Sequence, residues 1–333
     1  MEMPTSALTG LTLKDLFDAG LHFGHQTKRW NPKMKGYIFD KRNGIHIIDL
    51  QQTVGLIDEA AAFVRDTVLA GKKILFVATK KQLAEMVKAT AESVEQFYVT
   101  ERWLGGTLTN AKTIRSSVKR MRQLQATAKA NGGQLSEHKQ ENSVLRRELQ
   151  KLETNLTGVA DMAELPGAVV IIDCVKEANA VKEAARLHIP VVAIVDTNAD
   201  PEPIDYVIPG NDDSVRGVEI ILTGFVKVIK GANDEYSAKA AEESRKREAE
   251  RAQRDATEKA ARAERKAKAT ADRKPRAGAA AKKPTVAANV KAAARAAKEA
   301  AETKAKADLA AKRQAGVAAA EAAVAASEAP AAE

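Results

Sequence analysis

Seven carboxylate residues lie near the ends of predicted strands, where they are placed to bind a metal ion. They are Asp173, Asp196, Asp200, Glu202, Asp205, Asp212 and Asp213. Carboxylate oxygens are the ligands that Mg²⁺ takes in proteins, so a metal-dependent α/β enzyme is one hypothesis. The alternative is turn and cap chemistry: DTNADPEP (196–203) is rich in turn-forming residues, and GNDDS (210–214) directly precedes a predicted helix. Turn and cap chemistry is the favoured interpretation.

Other catalytic and cofactor signatures are missing from the sequence. It has no G-x-G-x-x-G after a strand, no G-x-x-x-x-G-K-[ST] and no G-x-S-x-G. His22 and His25 are three residues apart, but no nearby cysteine or acidic pair completes a metal site. The single cysteine, Cys174, ends an apolar run and fits a core position better than a nucleophile. We therefore expect no catalytic residue, no resident metal, no cofactor and no small-molecule substrate.

A first basic segment, residues 22–42, combines cations with aromatic and amide side chains. It carries six basic residues against Asp40, a net charge of +5. Cations neutralise phosphates and planar rings stack on unpaired bases, which is how proteins hold irregular RNA. The candidate RNA-binding residues are Lys28, Arg29, Trp30, Asn31, Lys33, Lys35, Arg42 and Asn43. The alternative is that Phe23 and Phe39 belong to the core and the lysines form a solvated face.

A second basic segment, residues 101–130, has a net charge of +6 and opens with RWLGGTLTN (102–110). Its two glycines allow close backbone approach, and the threonines and asparagine precede a basic helix whose free amides suit a phosphate. The candidate RNA-binding residues here are Arg102, Gly105, Gly106, Thr109, Asn110, Lys112 and Arg115. The alternative is an ordinary strand–loop–helix corner with capping residues.

Alternating strands and helices must position these segments. Strands are predicted at 44–50, 73–79, 96–103, 168–174, 190–196 and 206–209, and one short strand within an irregular segment at 27–44. Helices are predicted at 12–20, 53–71, 81–94, 176–188 and 214–230 and, beyond the body, at 238–272. Continuous apolar strands separated by helices predict a parallel sheet covered on both faces. Two helical stretches, 110–130 and 136–156, flank Gly132 and Gly133 and predict an inserted antiparallel coiled-coil hairpin. The stripe predicted on its first helix is Ile114, Val118, Met121, Gln125 and Ala128. The predicted fold is a three-layer, flavodoxin-like or Rossmann-like α/β body, residues 8–109 and 159–232, with the hairpin at 110–158.

The charge excess of the chain lies in an extension that follows this body. The 333 residues carry a net charge of +9, and residues 236–333 account for all of it, with 23 basic and 14 acidic side chains. Such Ala-rich, weakly apolar sequence does not form a packed core. We expect residues 233–333 to be a low-complexity tail, helical or disordered. It either contacts RNA without sequence preference or serves as a solubilising spacer.

The ordered blocks of the body resemble the bacterial small-subunit ribosomal protein two family. They are HFGHQTKRWNPKMKGYIFDKRNGIHIIDL (22–50), FVATKKQ (76–82), RWLGGTLTN (102–110), ELPGAVVIID (164–173), KEANAVKEAARLHIPVVAIVDTNADP (176–201) and IDYVIPGNDDSVRG (204–217). The resemblance covers about residues 8–230. The sequence departs from the family at Ala78, where glycine is more frequent, and in its long extension.

This resemblance implies a structural, non-catalytic constituent of the small ribosomal subunit in the cytoplasm. It implies contacts with small-subunit ribosomal RNA and with other small-subunit proteins, including recruitment of ribosomal protein one. The short apolar runs and the polar N-terminal residues predict neither a transmembrane segment nor a secretory signal. A paralogue that binds nucleic acid through its tail, outside the ribosome, is the remaining alternative.

Overall fold

Strands and helices alternate along the chain. The computed structural model describes the backbone of residues 6–271, and the side chains of all of these except 243, 249, 252 and 255–271. The helices are α1 (Leu13–Asp18), α2 (Leu50–Leu69), α3 (Lys81–Ser93), α4 (Ala111–Ala130), α5 (Lys139–Leu156), α6 (Ala178–Arg186) and α7 (Val215–Ala271). The strands are β1 (Phe23–Gln26), β2 (Ile38–Arg42), β3 (Ile45–Ile48), β4 (Ile74–Val77), β5 (Phe97–Val99), β6 (Ala168–Ile172), β7 (Val191–Val195) and β8 (Tyr206–Pro209).

A five-stranded parallel sheet forms the centre of the molecule. Its strand order is β5-β4-β6-β7-β8, so the first strand of this sheet along the chain lies between the second and the third. That is the flavodoxin-like order, in which the direction of winding reverses between β4 and β6. Every residue of β4, β6 and β7 is buried, as expected for strands covered on both faces. The predicted parallel α/β sheet is confirmed.

Helices cover both faces of this sheet, which gives two separate hydrophobic cores. One face packs Phe76 and Val170 against residues of α2, α3 and α7, such as Ile57 and Phe225. The other packs alternate strand residues against α4 and α6. Alternation along each strand sends successive side chains to opposite faces. The arrangement leaves the carboxyl ends of the five strands together at one edge.

A second, three-stranded sheet was not predicted. β1, β3 and β2 pair antiparallel in that order. Residues 27–44 were expected to be irregular around one short strand. They contain β2 and two 3-10 helices, Thr27–Arg29 and Pro32–Tyr37. Asn43 and Gly44 connect β2 to β3 with φ angles of 51° and 77°, as a tight hairpin turn with positive φ at both central residues requires.

The inserted segment forms two helices, α4 and α5, that contact each other. Arg120 pairs with Glu148 at 3.1 Å, and Gln125 donates to Glu153 at 2.7 Å. Ile114, Val118, Met121 and Leu124 are buried on α4. The predicted stripe on α4 used Gln125 and Ala128 in place of Leu124. Gln125 is exposed because it lies on the flank that pairs with α5. The coiled-coil form of their packing stays a prediction.

The last helix is longer than predicted. Two helices were expected, at 214–230 and 238–272, but α7 runs from Val215 to Ala271. Contacts with the body continue past residue 232: Arg65 lies 3.6 Å from Glu235, and Tyr236 lies against Gly71. The chain divides into two compact units, Met1–Gln253 and Arg254–Glu333. Of the second unit only the helical residues 254–271 are described, and the prediction for 272–333 falls outside the described residues.

Candidate nucleic-acid interface

The first predicted RNA-binding segment lies against the carboxyl end of the parallel sheet. Thr197, two residues beyond β7, accepts a hydrogen bond from His25 N–H through its hydroxyl at 2.9 Å and from Asn31 N–H through its carbonyl at 2.8 Å. Gly24 permits this approach, since a Cβ there would be 2.6 Å from Thr197 Cγ2. The small sheet and its loops are thereby fixed to the end of β7.

The cations of this segment divide into unpaired and paired groups. Lys28, Arg29, Lys35 and Arg42 are exposed and have no ion-pair partner among residues 6–271. Lys33 instead contacts two carboxylates, with its Nζ 2.9 Å from Asp200 and also bonded to Glu202. The hydrogen bonds that Lys33 donates to Glu202 and Asp200 raise its pKa. Four predicted positions are therefore free to meet phosphates, whereas Lys33 would have to exchange partners.

Trp30 and the two asparagines frame these cations. The Trp30 ring is half-buried and tilted against His46, with the ring centroids 5.2 Å apart. Asn31 also has a structural role, because its side chain accepts a hydrogen bond from Lys33 N–H at 3.0 Å and caps the 3-10 helix Pro32–Tyr37. Asn43 is exposed in the β2–β3 turn. The segment that carries the free cations therefore also carries a half-buried aromatic ring and an exposed turn.

The second predicted segment is organised by a residue that the sequence analysis did not single out, Glu183 of α6. Its carboxylate accepts hydrogen bonds from Trp103 Nε1 (3.0 Å) and from the backbone N–H groups of Gly106 (2.8 Å), Leu108 (3.0 Å) and Thr109 (3.2 Å). The Thr109 hydroxyl donates to it as well, at 3.1 Å. Burial opposes ionisation of Glu183, but these donors together lower its pKa. The backbone N–H groups of this loop were predicted to bind a phosphate. In the structure they donate instead to the carboxylate of Glu183.

The remaining predicted residues of the second segment have different surroundings. Three of them are exposed to solvent: Arg102, Gly105 and Lys112. The Asn110 side chain accepts a hydrogen bond from the Thr113 hydroxyl at 2.9 Å. Arg115 donates to the backbone carbonyl of Ala163. Phosphate binding here would therefore rest on the side chains of Arg102 and Lys112 more than on the loop amides.

The strand-end carboxylates surround a lysine instead of an open site. Lys80 Nζ lies 3.0 Å from Asp173, 2.9 Å from Asp212 and 2.7 Å from Asp213. Burial opposes the charge of Lys80, but the three carboxylates raise its pKa. Burial, and then repulsion from Asp173, raises the pKa of Asp212 to about 6. The ammonium group of Lys80 therefore occupies the centre of the cluster.

Asp173 and Asp200 also make the local turn bonds that were favoured from the sequence, whereas Asp205 and Asp196 bond residues that are distant in the chain. Asp173 accepts from Lys176 N–H at 2.9 Å, Asp200 from Glu202 N–H at 3.1 Å and Asp205 from Val191 N–H at 2.9 Å. His25 places Nδ1 2.8 Å from Asp196. The hydrogen bond with Asp196 raises the pKa of His25 although burial opposes it.

A metal ion has one candidate set in the described part of the chain. His25, Asp212 and Asp213 offer ligand atoms within 4.8 Å of one another. Two of these three residues already pair with Lys80. An ion would have to displace that ammonium group, so the geometry favours an ion-paired network over a metal site.

Exposed aromatic side chains are a further feature that the sequence analysis did not assign to a site. Phe17, Phe23 and Phe39 are 54%, 49% and 76% exposed. Together with Ile45 and Ile47 they line a groove of about 510 Å³, with Arg42 at its rim. The interpretation of Phe23 and Phe39 as core residues is wrong, because the small sheet turns one face to solvent. We call this surface the aromatic groove.

Comparison with known proteins identifies the family of the chain. In residues 6–271, no helix combines the length and the apolar character needed to cross a membrane. The chain is 49% identical over 236 residues to the small ribosomal subunit protein uS2 of Solibacter usitatus, covering 71% of this chain and 77% of the relative. It is 51% identical over 237 residues to the uS2 proteins of Corynebacterium efficiens and Corynebacterium jeikeium, covering 70% of this chain and 86% of each relative. These names are those of a structural ribosomal protein and not of an enzyme. The family model described as Ribosomal protein S2 matches residues 16–232, and the chain belongs to that family.

Proposed function

We propose that the protein is a structural constituent of the small ribosomal subunit in the cytoplasm, and that it binds small-subunit ribosomal RNA through the edge formed by its two basic segments. The observation that carries the proposal is the group of four exposed, unpaired cations in the segment that contains Trp30: Lys28, Arg29, Lys35 and Arg42. Unpaired cations next to an aromatic ring suit phosphates and unstacked bases. Family membership supports the ribosomal location of this chemistry.

The geometry of the sheet supports joint use of the two segments. The first segment lies at the end of β7 and the second follows β5, and both strands end at the same edge. Three strand spacings separate β5 from β7, roughly 14 Å at about 4.8 Å each. One RNA strand or helix can therefore contact both segments.

Binding to purified small-subunit ribosomal RNA tests the proposal. Arg29→Ala combined with Trp30→Ala should weaken binding at least tenfold, because it removes a phosphate contact and a stacking ring. Lys227→Gln combined with Lys230→Gln is the matched control, since both lysines are exposed on α7 and have no ion-pair partner among residues 6–271. Equal affinity of the first variant and the control would remove residues 28–43 from the RNA site.

The aromatic groove favours a second function for the same protein, the docking of ribosomal protein one. Contiguous exposed apolar surface indicates a protein partner more than a nucleic acid. His22 lies stacked on Phe17, with ring centroids 4.2 Å apart, and burial lowers its pKa, so His22 extends the apolar face of the groove. The groove adjoins Arg42 of the basic edge, which would bring a docked protein close to bound RNA.

Retention of ribosomal protein one on subunits tests this second function. Phe39→Asp should release it, because a charge would be placed on the most exposed ring of the groove. Val144→Asp is the control, since Val144 is 58% exposed on α5, outside the groove. Ribosomal RNA binding should be unchanged in Val144→Asp. In Phe39→Asp it should fall less than the retention of ribosomal protein one, because the new charge lies in the groove that also contains Arg42. Full retention of ribosomal protein one by Phe39→Asp would contradict docking at this groove.

A further inference from the structure

A polar crevice opens where the winding of the parallel sheet reverses. It lies beyond the carboxyl ends of β4, β5 and β6 and has a volume of about 790 Å³. Residues after β4, after β5 and before α6 line it, together with one side of α3. In open parallel α/β sheets this is the position at which ligands bind, because the helices that follow the two strands diverge to opposite faces and leave a gap.

The lining of the crevice favours an anion. Four cations face it: Lys81 and Lys88 from α3, Arg102 after β5 and Lys176 before α6. Lys176 donates to the Thr79 carbonyl at 2.8 Å, and the other three have no ion-pair partner within residues 6–271. Of the three acidic residues in the lining, Glu177 is only 3% exposed and accepts a hydrogen bond from Thr79, and burial raises its pKa. Glu85 and Glu101 are exposed at the rim.

A threonine in the lining of the crevice offers a further donor. Thr100 lines the crevice and is only 8% exposed. Its side chain has no hydrogen-bond partner in the described part of the chain, so its hydroxyl is free to bind a ligand in the crevice. The first N–H groups of α3 and α6 also lack capping side chains, and such groups have no acceptor inside their own helix. Cations, amides and a hydroxyl are the donors that hold a phosphate.

We propose that this crevice binds a phosphate ester, with Lys81, Lys88 and Thr100 as its donors. The phosphate is supplied either by the backbone of RNA or by a free nucleotide. This inference deepens the proposed function, since Arg102 belongs to both surfaces, but it depends on residues that the RNA proposal does not use. The crevice proposal can therefore be contradicted while the proposal of RNA binding through the two basic segments stands, and the reverse.

The experiment compares two probes on the full-length protein at low salt. The probes are adenosine 5′-monophosphate and a ten-nucleotide single-stranded RNA without a terminal phosphate. The variants are Lys81→Gln with Lys88→Gln, and Thr100→Val, with Lys227→Gln and Lys230→Gln as the charge-matched control. No ion pair or hydrogen bond is lost from the described residues in either crevice variant, so both should keep the free energy of unfolding of the wild type.

For the probe that occupies the crevice, the double lysine variant should lower affinity at least fivefold relative to the control. Thr100→Val should lower it about threefold, the value of one neutral hydrogen bond. An effect on the mononucleotide identifies a free nucleotide as the source. An effect on RNA alone, with its logarithmic salt slope reduced by about 1.4 for two lost phosphate contacts, identifies the RNA backbone.

Affinities that match the control for both probes would overturn the crevice proposal. That result would leave the proposed ribosomal function standing if the variants still enter small subunits. Conversely, a crevice effect in a protein that does not bind ribosomal RNA would support the crevice and contradict the ribosomal RNA proposal.

Discussion

Glu183 shows how one carboxylate can set the shape of a distant loop. It accepts five hydrogen bonds from residues 103–109, which precede it by 74 to 80 positions in the chain. The loop sequence alone predicts free amides and a phosphate site. The partner that fills those amides could not be found from local spacing, because only the packing of α6 beside the end of β5 brings it there.

Replacing Glu183 should therefore unfold the loop before it affects the rest of the body. Glu183→Ala leaves the Trp103 indole N–H and three backbone N–H groups without their acceptor. We expect a loss of about 2 kcal/mol in the free energy of unfolding, measured by chemical denaturation, and weaker RNA binding through Arg102. Glu183→Gln keeps one acceptor oxygen and should lose less. Equal stability of Glu183→Ala and wild type would contradict the role given to this carboxylate.

Two neighbouring carboxylates should show opposite pH effects. The pKa of Asp212 is raised to about 6 from an ordinary value of 3.8, so its contribution to stability is present below pH 3.8 and is lost as the pH rises through 6. The hydrogen bond from Lys80 lowers the pKa of Asp213, so its contribution is present above pH 3.8 and is lost as the pH falls below that value.

The corresponding prediction compares Asp212→Asn with Asp213→Asn in denaturation experiments at pH 4.5 and pH 7.5. Asp212→Asn should gain stability relative to wild type at the higher pH, on the order of 2 kcal/mol for a shift of about two pKa units. Asp213→Asn should be the less stable of the two variants at pH 7.5. If the free energies of unfolding of Asp212→Asn and wild type differed by the same amount at both pH values, Asp212 would not titrate in this range.

At the scale of elements, the apolar runs predicted the parallel strands well and the small sheet poorly. β4, β6 and β7 are buried on both faces, so each appears in the sequence as an unbroken apolar run. β1 is a four-residue strand with two exposed ends, and it carries no such signal. The prediction ended the last helix of the body at Lys230, but α7 continues through Gly231 to Ala271.

The attachment of the small sheet to the central sheet can be tested at a single glycine. Gly24→Ala would place a methyl group 2.6 Å from Thr197 Cγ2 and 3.1 Å from the His46 carbonyl. We expect a loss of about 1–3 kcal/mol in the free energy of unfolding and reduced RNA affinity, since residues 28–43 would shift. Gly36→Ala is the control, because it has open space around it and lies in the same segment. Equal losses in the free energy of unfolding for Gly24→Ala and Gly36→Ala would contradict the attachment of the small sheet at Gly24.

At the scale of the whole molecule, the separation of charge between segments supports the proposed RNA binding more than the net charge does. Residues 1–235 carry 30 basic and 30 acidic side chains, while the first and second basic segments carry +5 and +6. The sequence predicted these segments and their cations. It did not predict that Lys33 is paired with Asp200, because that contact joins residues 167 positions apart.

Residues 254–333 should be dispensable for entry of the protein into small ribosomal subunits. Deleting residues 254–333 removes the second compact unit and retains Tyr236, which lies against Gly71. We expect unchanged entry into small subunits, measured by quantitative mass spectrometry of purified particles, because the family match ends at residue 232. If the deletion abolished all RNA binding, the alternative of a tail-driven nucleic-acid binder would be favoured.

Co-sedimentation with small subunits tests the central claim most directly. In a low-salt gradient the full-length protein should migrate with the small subunit, and the control variant Lys227→Gln with Lys230→Gln should do the same. Arg29→Ala combined with Trp30→Ala should shift at least half of the protein to the top of the gradient. A wild-type protein that stays at the top would contradict the ribosomal function, and full co-sedimentation of the Arg29 and Trp30 variant would contradict the assigned RNA-binding edge.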